Sequence, residues 1–361
     1  MNRFSYLYFL QIQTMEGGRL LGQGTYGCVF TPPLLCKKRD VLQNKVGKLT
    51  LEKDATKEYN AYIYLHKIKE FNNYFVLPET ICSPKIIDNQ YDKDINKCDF
   101  LKQTKHKDMK IKQLTMRFGG IDLENVKHIH FFSLFSQMLE AGSLLVLNHL
   151  VHYDVYSKNI LVDNQGITRI IDFGQSFHLN EISEQSIMDR WKVLGPGYAA
   201  EPPEVTFLTA MDKYNQYTFE ETVLEVMPKK KILFTIEKVL GIPFQTQIKK
   251  LVQFFQTSLA YQNKDYVKLW KLYYTGFDSW AIGCLLVEQL YKLYYSYEFI
   301  ESNEWKLKKG VVVDILKKMV STNPKERIDC VEALSMYDPF NEIIEKYGTE
   351  WLEKRRLQRS K

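Results

Sequence analysis

The stretch from His152 to Gly174 constrains this 361-residue chain more than any other. It reads His152-Tyr153-Asp154-Val155-Tyr156-Ser157-Lys158-Asn159-Ile160-Leu161-Val162, and later resumes at Ile170-Ile171-Asp172-Phe173-Gly174. The apolar runs Ile160–Val162 and Ile170–Ile171 flank Asp163-Asn164-Gln165-Gly166, a turn-forming tetrapeptide, and together predict a β-hairpin. Asp154 and Asn159 stand at its entry and Asp172 at its exit. Two carboxylates and a carboxamide are thereby expected at one end of a short ribbon. Hard oxygen donors of this kind suit Mg²⁺, which takes one or two carboxylates and otherwise prefers water and phosphate oxygens.

Other parts of the chain carry phosphate-binding chemistry. Between Leu20-Leu21 and Val29-Phe30 lies G-x-G-x-x-G-x-V, made of Gly22, Gln23, Gly24, Thr25, Tyr26, Gly27, Cys28 and Val29. Apolar residues on both sides predict strand, loop, strand, not the strand-to-helix turn of a dinucleotide fold. Glycines lack a Cβ, so backbone N–H groups can approach a phosphate closely. Alone, the pattern also fits an ordinary tight turn. Lys48 sits in an alternating run, Lys45-Val46-Gly47-Lys48-Leu49-Thr50-Leu51. Lys37 and Lys38 follow Leu34-Leu35-Cys36. Residues 55–68 have helical periodicity through Tyr59, Tyr62, Ile63 and His66, and they include Glu58. Cys82 to Lys112 is polar and Lys-rich and reads as a solvated loop or hairpin insert. Leu114-Thr115-Met116-Arg117-Phe118-Gly119-Gly120 reads as a strand running into a glycine connection. A long apolar helix is predicted from His128 to Leu150. Its His128 and His130, two residues apart, face different sides and make no metal site.

The central stretch resembles the protein kinase signature H-R-D-L-x-x-x-N followed by D-F-G, with Asp172 placed 18 residues after Asp154. The resemblance implies roles. Asp154 accepts the proton of the substrate hydroxyl, while Asn159 and Asp172 hold Mg²⁺. The glycine loop covers the ATP phosphates. Lys48, with Lys38 as the alternative, neutralises phosphate charge and pairs with Glu58. Met116 guards the back of the adenine pocket, backbone groups near Phe118 meet the adenine edge, and Leu161 joins the cofactor-binding set. Later motifs follow in the family's order. Gly197-Tyr198-Ala199-Ala200-Glu201-Pro202-Pro203-Glu204 resembles an altered A-P-E, whose Glu204 is expected to pair with Arg327. Asp278-Ser279-Trp280-Ala281-Ile282-Gly283 matches D-x-W-x-x-G, and its Asp278 is expected to cap its own helix and receive N–H groups of the catalytic loop. A small-molecule phosphotransferase would not be expected to carry these three.

Several positions depart from the family pattern. Tyr153 stands where an Arg usually receives a phosphorylated activation-loop residue, although Ser183 and Ser186 are available phosphosites. Tyr156 replaces the Lys of serine/threonine kinases, and Lys158 is then expected to reach the γ-phosphate. Gly195-Pro196-Gly197 lacks the usual Thr. Pro32-Pro33, Val46-Gly47-Lys48 and Gly119-Gly120 look most like kinases encoded by large nucleocytoplasmic DNA viruses.

The expected fold is therefore α+β and two-lobed, with a β-rich small lobe and a helical large lobe. An N-terminal extension occupies 1–15, the small lobe 16–118, the large lobe 119–345 with an insertion at 205–275, and a basic tail 346–361. Within the insertion Ile248, Leu251, Val252, Phe255 and Leu259 fall at helical spacing. The expected activity is transfer of the γ-phosphoryl of ATP to Ser/Thr hydroxyls of proteins with Mg²⁺. The alternative is a catalytically weak pseudokinase serving as a scaffold. A net charge of +6 is mild and reads as solubilising surface Lys, with no nucleic-acid partner. Phe4 to Ile12 is apolar but too short to span a membrane. Six scattered cysteines, without C-x-x-C, predict reduced thiols and a cytoplasmic setting, in a host cell or virion if viral. Oligomeric state is left open.

Overall fold

The computed structural model describes residues 18–24, 26–36, 44–84, 92–102, 110–191, 195–213 and 217–359. Thr25, Lys37, Lys38, the 1–15 extension and the last two residues of the basic tail lie outside the described residues. The chain forms two compact units, one of residues up to Gly120 together with Ile171–Gly174, the other of Ile121–Ile170 and Gln175–Lys361.

The first unit is a five-stranded antiparallel sheet in which β1 (Arg19–Gly24), β2 (Gly27–Thr31) and β3 (Lys45–Leu51) are followed in space by β5 (Ile111–Arg117) and then β4 (Thr80–Cys82). One helix, α1 (Glu52–Leu65), follows β3 directly. Its buried face is Ala55, Glu58, Ala61 and Leu65. The aromatic stripe read from the sequence is instead the outer face, where Tyr62 stacks on His66 at 4.8 Å. Ala55, Ala61 and Leu65 turn inward together with Glu58, which the Lys48 ammonium on β3 holds. Cys28, Phe30, Leu34, Leu49, Cys98 and Phe100 form a core cluster. Each buried Phe or Leu contributes roughly 1.5–3 kcal/mol.

Two expectations fail in this unit. The Cys82–Lys112 segment is not simply a solvated insert: it carries two short helices, α2 (Asp92–Ile95) and α3 (Asp99–Lys102). Phe100 from α3 is buried against β2, and the Leu20 N–H donates to Asp94 Oδ2 at 3.1 Å. Nor are the cysteines all reduced. Cys28 is disulfide-bonded to Cys98 and Cys36 to Cys82, across 70 and 46 residues, while Cys284 and Cys330 are free and buried. Separations of that length leave no spacing signal; the sheet and the insert bring the partners together.

The second unit is mostly helical. β6 (Ile121–Asp122) precedes the apolar helix α4 (Phe131–Leu147), whose first turn is capped by the His130 imidazole accepting from the Ser133 N–H. β7 (Leu150–Val151) then leads to the predicted hairpin, β8 (Ile160–Val162) and β9 (Thr168–Ile170), with Ile160 opposite Ile170. β10 (Phe177–His178) pairs with β7. Beyond it come α5 (Glu184–Trp191), α6 (Pro203–Leu208), α7 (Ile232–Leu240), α8 (Phe244–Thr257), α9 (Tyr266–Tyr273), α10 (Thr275–Leu293), α11 (Asn303–Met319), α12 (Cys330–Tyr337) and α13 (Thr349–Arg359). α10 is almost wholly buried, and a Cβ at its Gly283 would lie 2.8 Å from the Val320 side chain. Only glycine permits that approach.

The 205–275 segment packs within this unit. Ile248, Leu251 and Phe255 of α8 are buried, with Phe255 stacked on Phe207 at 4.5 Å. The periodic pattern overran the helix, since α8 stops at Thr257 and Leu259 is exposed. Among the described residues no helix is long and apolar enough to cross a membrane.

Candidate active site

In the first unit the site is built around Lys48. Its neighbours along β3, Gly47 and Leu49, are buried, while Lys48 lies between Val29 on β2 and Leu114 on β5. Its Nζ donates to Glu58 Oε2 and to Asp172 Oδ1, both at 2.7 Å. Glu58 is brought there by α1, one buried position after Ala55. Burial works against the Lys48 charge, but Asp172 and Glu58 outweigh it, so the ammonium titrates above its ordinary range. Asp172 holds a left-handed backbone, φ 63°, which L-residues other than Asn and Asp seldom adopt. The next residue, Phe173, is fully buried with its ring edge-on to Phe75 at 5.9 Å.

The glycine loop joins β1 to β2. A Cβ at Gly27 would collide with the Leu49 carbonyl, so that glycine is demanded by the sheet itself. Gly22 and Gly24 differ: no atom lies within 4 Å of where their Cβ would stand. Gln23 fastens the loop to α3, its Nε2 donating to Asp99 Oδ2 at 3.1 Å and its Oε1 accepting from the Asp99 N–H at 2.9 Å. Tyr26 is exposed and Val29 half-buried. Met116 is buried on β5 opposite Val46. Phe118 is half-buried, and its N–H already donates to the Asn44 carbonyl at 3.1 Å. An adenine edge would therefore have to use a different backbone group at this connection.

In the second unit the Asp154 loop hangs from Asp278. The Asp278 carboxylate accepts the N–H of His152 at 2.6 Å and of Tyr153 at 2.9 Å. It does not cap its own helix, as expected from the sequence, because α10 begins earlier, at Thr275. Burial pushes its carboxyl up to about 6 against the pull of those two N–H groups. Tyr153 is buried with φ 69°, and the strained turn there aims the loop. The Asn159 side-chain amide donates to Asp154 twice, to its carbonyl at 2.8 Å and to Oδ2 at 2.9 Å. The other carboxylate oxygen, Oδ1, accepts the Tyr198 hydroxyl. Lys158 is exposed and pairs with Glu124 at 3.4 Å. Leu161 is half-buried in β8, opposite Asp122.

The residues of the late motifs also meet. Arg327 donates from both terminal nitrogens to Glu204, each at 2.8 Å, and neither side chain is exposed. The Trp280 indole donates to the Ala199 carbonyl at 2.9 Å. Sequence reasoning missed Lys230. It is fully buried, and its Nζ donates to the Tyr198 carbonyl at 2.7 Å and to Thr206 Oγ1 at 3.0 Å. Burial brings this ammonium down to about 8. Lys229-Lys230-Lys231 gave no cue that the middle lysine turns inward. Among the described residues no group of three or more His, Cys, Asp or Glu is arranged to hold a metal. A cation here would rest on fewer protein oxygens plus a ligand, which is how Mg²⁺ is usually held with phosphates.

Residues 15–227 match the family model for protein tyrosine and serine/threonine kinases. A probable serine/threonine-protein kinase of Dictyostelium discoideum is 24% identical over 132 residues, 34% of this chain. The chain spans about a quarter of that relative's length, 26%. A β-sheet region followed by a helical region is the mixed α+β arrangement of that fold. With the family model covering the glycine loop, the Asp154 loop, Asp172 and Glu204, this chain belongs to the protein tyrosine and serine/threonine kinase family.

Proposed function

We propose that the chain is an ATP-dependent protein kinase that transfers the γ-phosphoryl group of ATP to Ser/Thr hydroxyls of protein substrates. The observation that carries this reading is the Lys48 ammonium held by both Glu58 and Asp172 at 2.7 Å. A cation fixed on a strand by two carboxylates is a preorganised site for phosphate charge, and preorganisation is most of what phosphoryl transfer asks of a protein. The open space over Gly22 and Gly24 favours close approach of a phosphate to backbone N–H groups.

Asp154 takes the base role in this reading. Its Oδ2 is oriented by the Asn159 amide, which leaves the Asn159 carbonyl oxygen as the hard donor toward a cation. Asp172 supplies the carboxylate donor. Mg²⁺, when bound, neutralises charge on the phosphate oxygens. Lys158 can turn toward substrate at small cost, because an exposed pair such as Lys158–Glu124 is worth about 0–1 kcal/mol. The Ser/Thr assignment draws on the name of the Dictyostelium relative. The viral likeness draws on Pro32-Pro33, Val46-Gly47-Lys48 and Gly119-Gly120. The scaffold reading draws on one observation, the Tyr198 hydroxyl bonded to Asp154.

The test is transfer from γ-labelled ATP·Mg²⁺ to a mixed protein acceptor, with wild type against Asp172→Ala, followed by phosphoamino-acid analysis. Label on Ser and Thr that disappears in the variant is the expected result. Label on Tyr would reassign the specificity, and ATP binding without transfer would favour the scaffold.

A further inference from the structure

In the second unit both oxygens of the Asp154 carboxylate are occupied from within the chain, Oδ2 by the Asn159 amide and Oδ1 by the Tyr198 hydroxyl. A phenolic O–H donating to the base stands in the relation that an acceptor hydroxyl must take before it loses its proton. Burial and the Asp154 charge push this phenol far above its ordinary range, so it remains a donor at any working pH.

Tyr198 is not a loose side chain. The Tyr156 ring meets its ring edge-on at 6.0 Å. From beneath, Trp280 holds the Ala199 carbonyl and Lys230 holds that of Tyr198. Lys230 comes from the long 205–275 segment. Its ammonium also meets Thr206, which in turn donates to Glu201 Oε2 at 2.7 Å. A fully buried lysine is costly unless hydrogen-bonded, and these bonds all bear on the stretch that carries Tyr198.

We propose that Tyr198 occupies the acceptor-hydroxyl place on Asp154, so that a protein substrate must displace it, and that Lys230 is the positioning residue that keeps it there. The proposal rests on the kinase reading and adds its regulation: the 205–275 segment supplies the lysine that sets how readily the base is uncovered. A charge-assisted hydrogen bond of this type is worth enough to raise the apparent KM for acceptor by about tenfold.

The test uses the full chain, ATP·Mg²⁺ and dephosphorylated casein as acceptor, with initial rates at varied casein and at varied ATP. Tyr198→Phe keeps the ring and removes the hydroxyl. It is expected to lower the KM for casein by about tenfold while leaving the KM for ATP unchanged. Lys230→Met, of similar length, should move the casein KM the same way. An unchanged or higher casein KM in Tyr198→Phe, or a fall in kcat alone, would overturn the proposal and make Tyr198 an orienting group for Asp154. Peptide-mapped nitration gives a readout independent of variant folding. Saturating casein should speed nitration of Tyr198, and no change would count against displacement. If neither wild type nor variants transfer phosphate to any acceptor, the kinase reading falls first and this proposal with it. Transfer with unaltered KM removes this proposal alone.

Discussion

The Arg190 guanidinium lies 4.2 Å from the centroid of the Phe177 ring and extends toward the ring of Tyr153, 6.0 Å away. Its nitrogens donate to the carbonyls of Gln175, Ser176 and Ser186. Tyr153 occupies the place from which family members present an arginine to a phosphorylated activation segment. Here the cation sits on the segment and the aromatic groups on the loop and strand. The ordering contact needs no phosphate.

Arg190→Ala should therefore loosen the 175–191 stretch. A desolvated cation–π contact is worth about 2 kcal/mol, so limited proteolysis within this stretch should quicken by roughly an order of magnitude or more. Phosphatase treatment of wild type should leave the cleavage rate unchanged. Slow cleavage in the variant would mean that α5 is held by other contacts.

Breaking the Glu204–Arg327 pair should be among the costliest single changes. Both side chains are fully buried and joined by two parallel hydrogen bonds at 2.8 Å. Removing one partner strands the other charge, at a cost of about 3–5 kcal/mol. Glu204→Gln or Arg327→Met should show it as a lower denaturation midpoint in urea. A loss below about 1 kcal/mol would show that water or a neighbour relieves the stranded charge.

Asp278 gives a pH signature. Its folded carboxyl is raised from 3.8 to about 6, so between those values the folded chain holds a proton that the unfolded chain has released. Stability relative to an untitratable variant then falls as pH rises through that window and is level above it. A tenfold difference in proton affinity between the folded and unfolded chain is worth about 1.4 kcal/mol. Measured against Asp278→Asn from pH 4 to 7, wild type should lose about 2 kcal/mol of relative stability, most of it below pH 6. The variant also lacks a full carboxylate for the His152 and Tyr153 N–H groups, which adds a pH-independent offset.

The disulfides predict a reductant effect confined to the first unit. Cross-links spanning 70 and 46 residues remove much loop entropy from the unfolded chain. Loss of one such bridge typically costs about 2–4 kcal/mol. Non-reducing peptide mapping should recover the 28–98 and 36–82 pairs. Reductant should raise amide exchange in β1 and β2, because Cys28 and Gln23 both tie that hairpin to the 98–102 segment. Mapping that finds four free thiols would reverse the assignment.

Glu58→Gln tests the Lys48 triad. With one carboxylate neutralised, Lys48 retains Asp172 as its anionic partner, and phosphoryl transfer should fall by about a hundredfold, the scale of losing a preorganised electrostatic contact. ATP affinity should fall less than the turnover does. An unchanged rate would show that Asp172 alone positions the lysine.

Much of this protein was legible in the chain itself. Local sequence pattern predicted a hairpin from the apolar runs Ile160–Val162 and Ile170–Ile171, the second arm forming earlier at Thr168–Ile170. It also predicted the long helix α4 and the strand through Met116, because nearest-neighbour sterics and alternating burial act over a few residues. The kinase resemblance implied the Glu204–Arg327 pair and a lysine paired with Glu58, with Lys48 preferred and Lys38 the alternative. What tertiary structure alone decided lies in contacts between distant residues. Which face of α1 turns inward depended on where β3 brings the Lys48 ammonium to Glu58. The Cys28–Cys98 pairing depended on the segment before α3 folding back onto β2, and the Cys36–Cys82 pairing on β4 coming beside the chain that leaves β2. The inward turn of Lys230 and the meeting of Tyr198 with Asp154 depended on where the fold brings the Tyr198 and Ala199 carbonyls to Lys230 and Trp280. A side chain's partner across dozens of residues is set by where the backbone brings it, and no local signal records that.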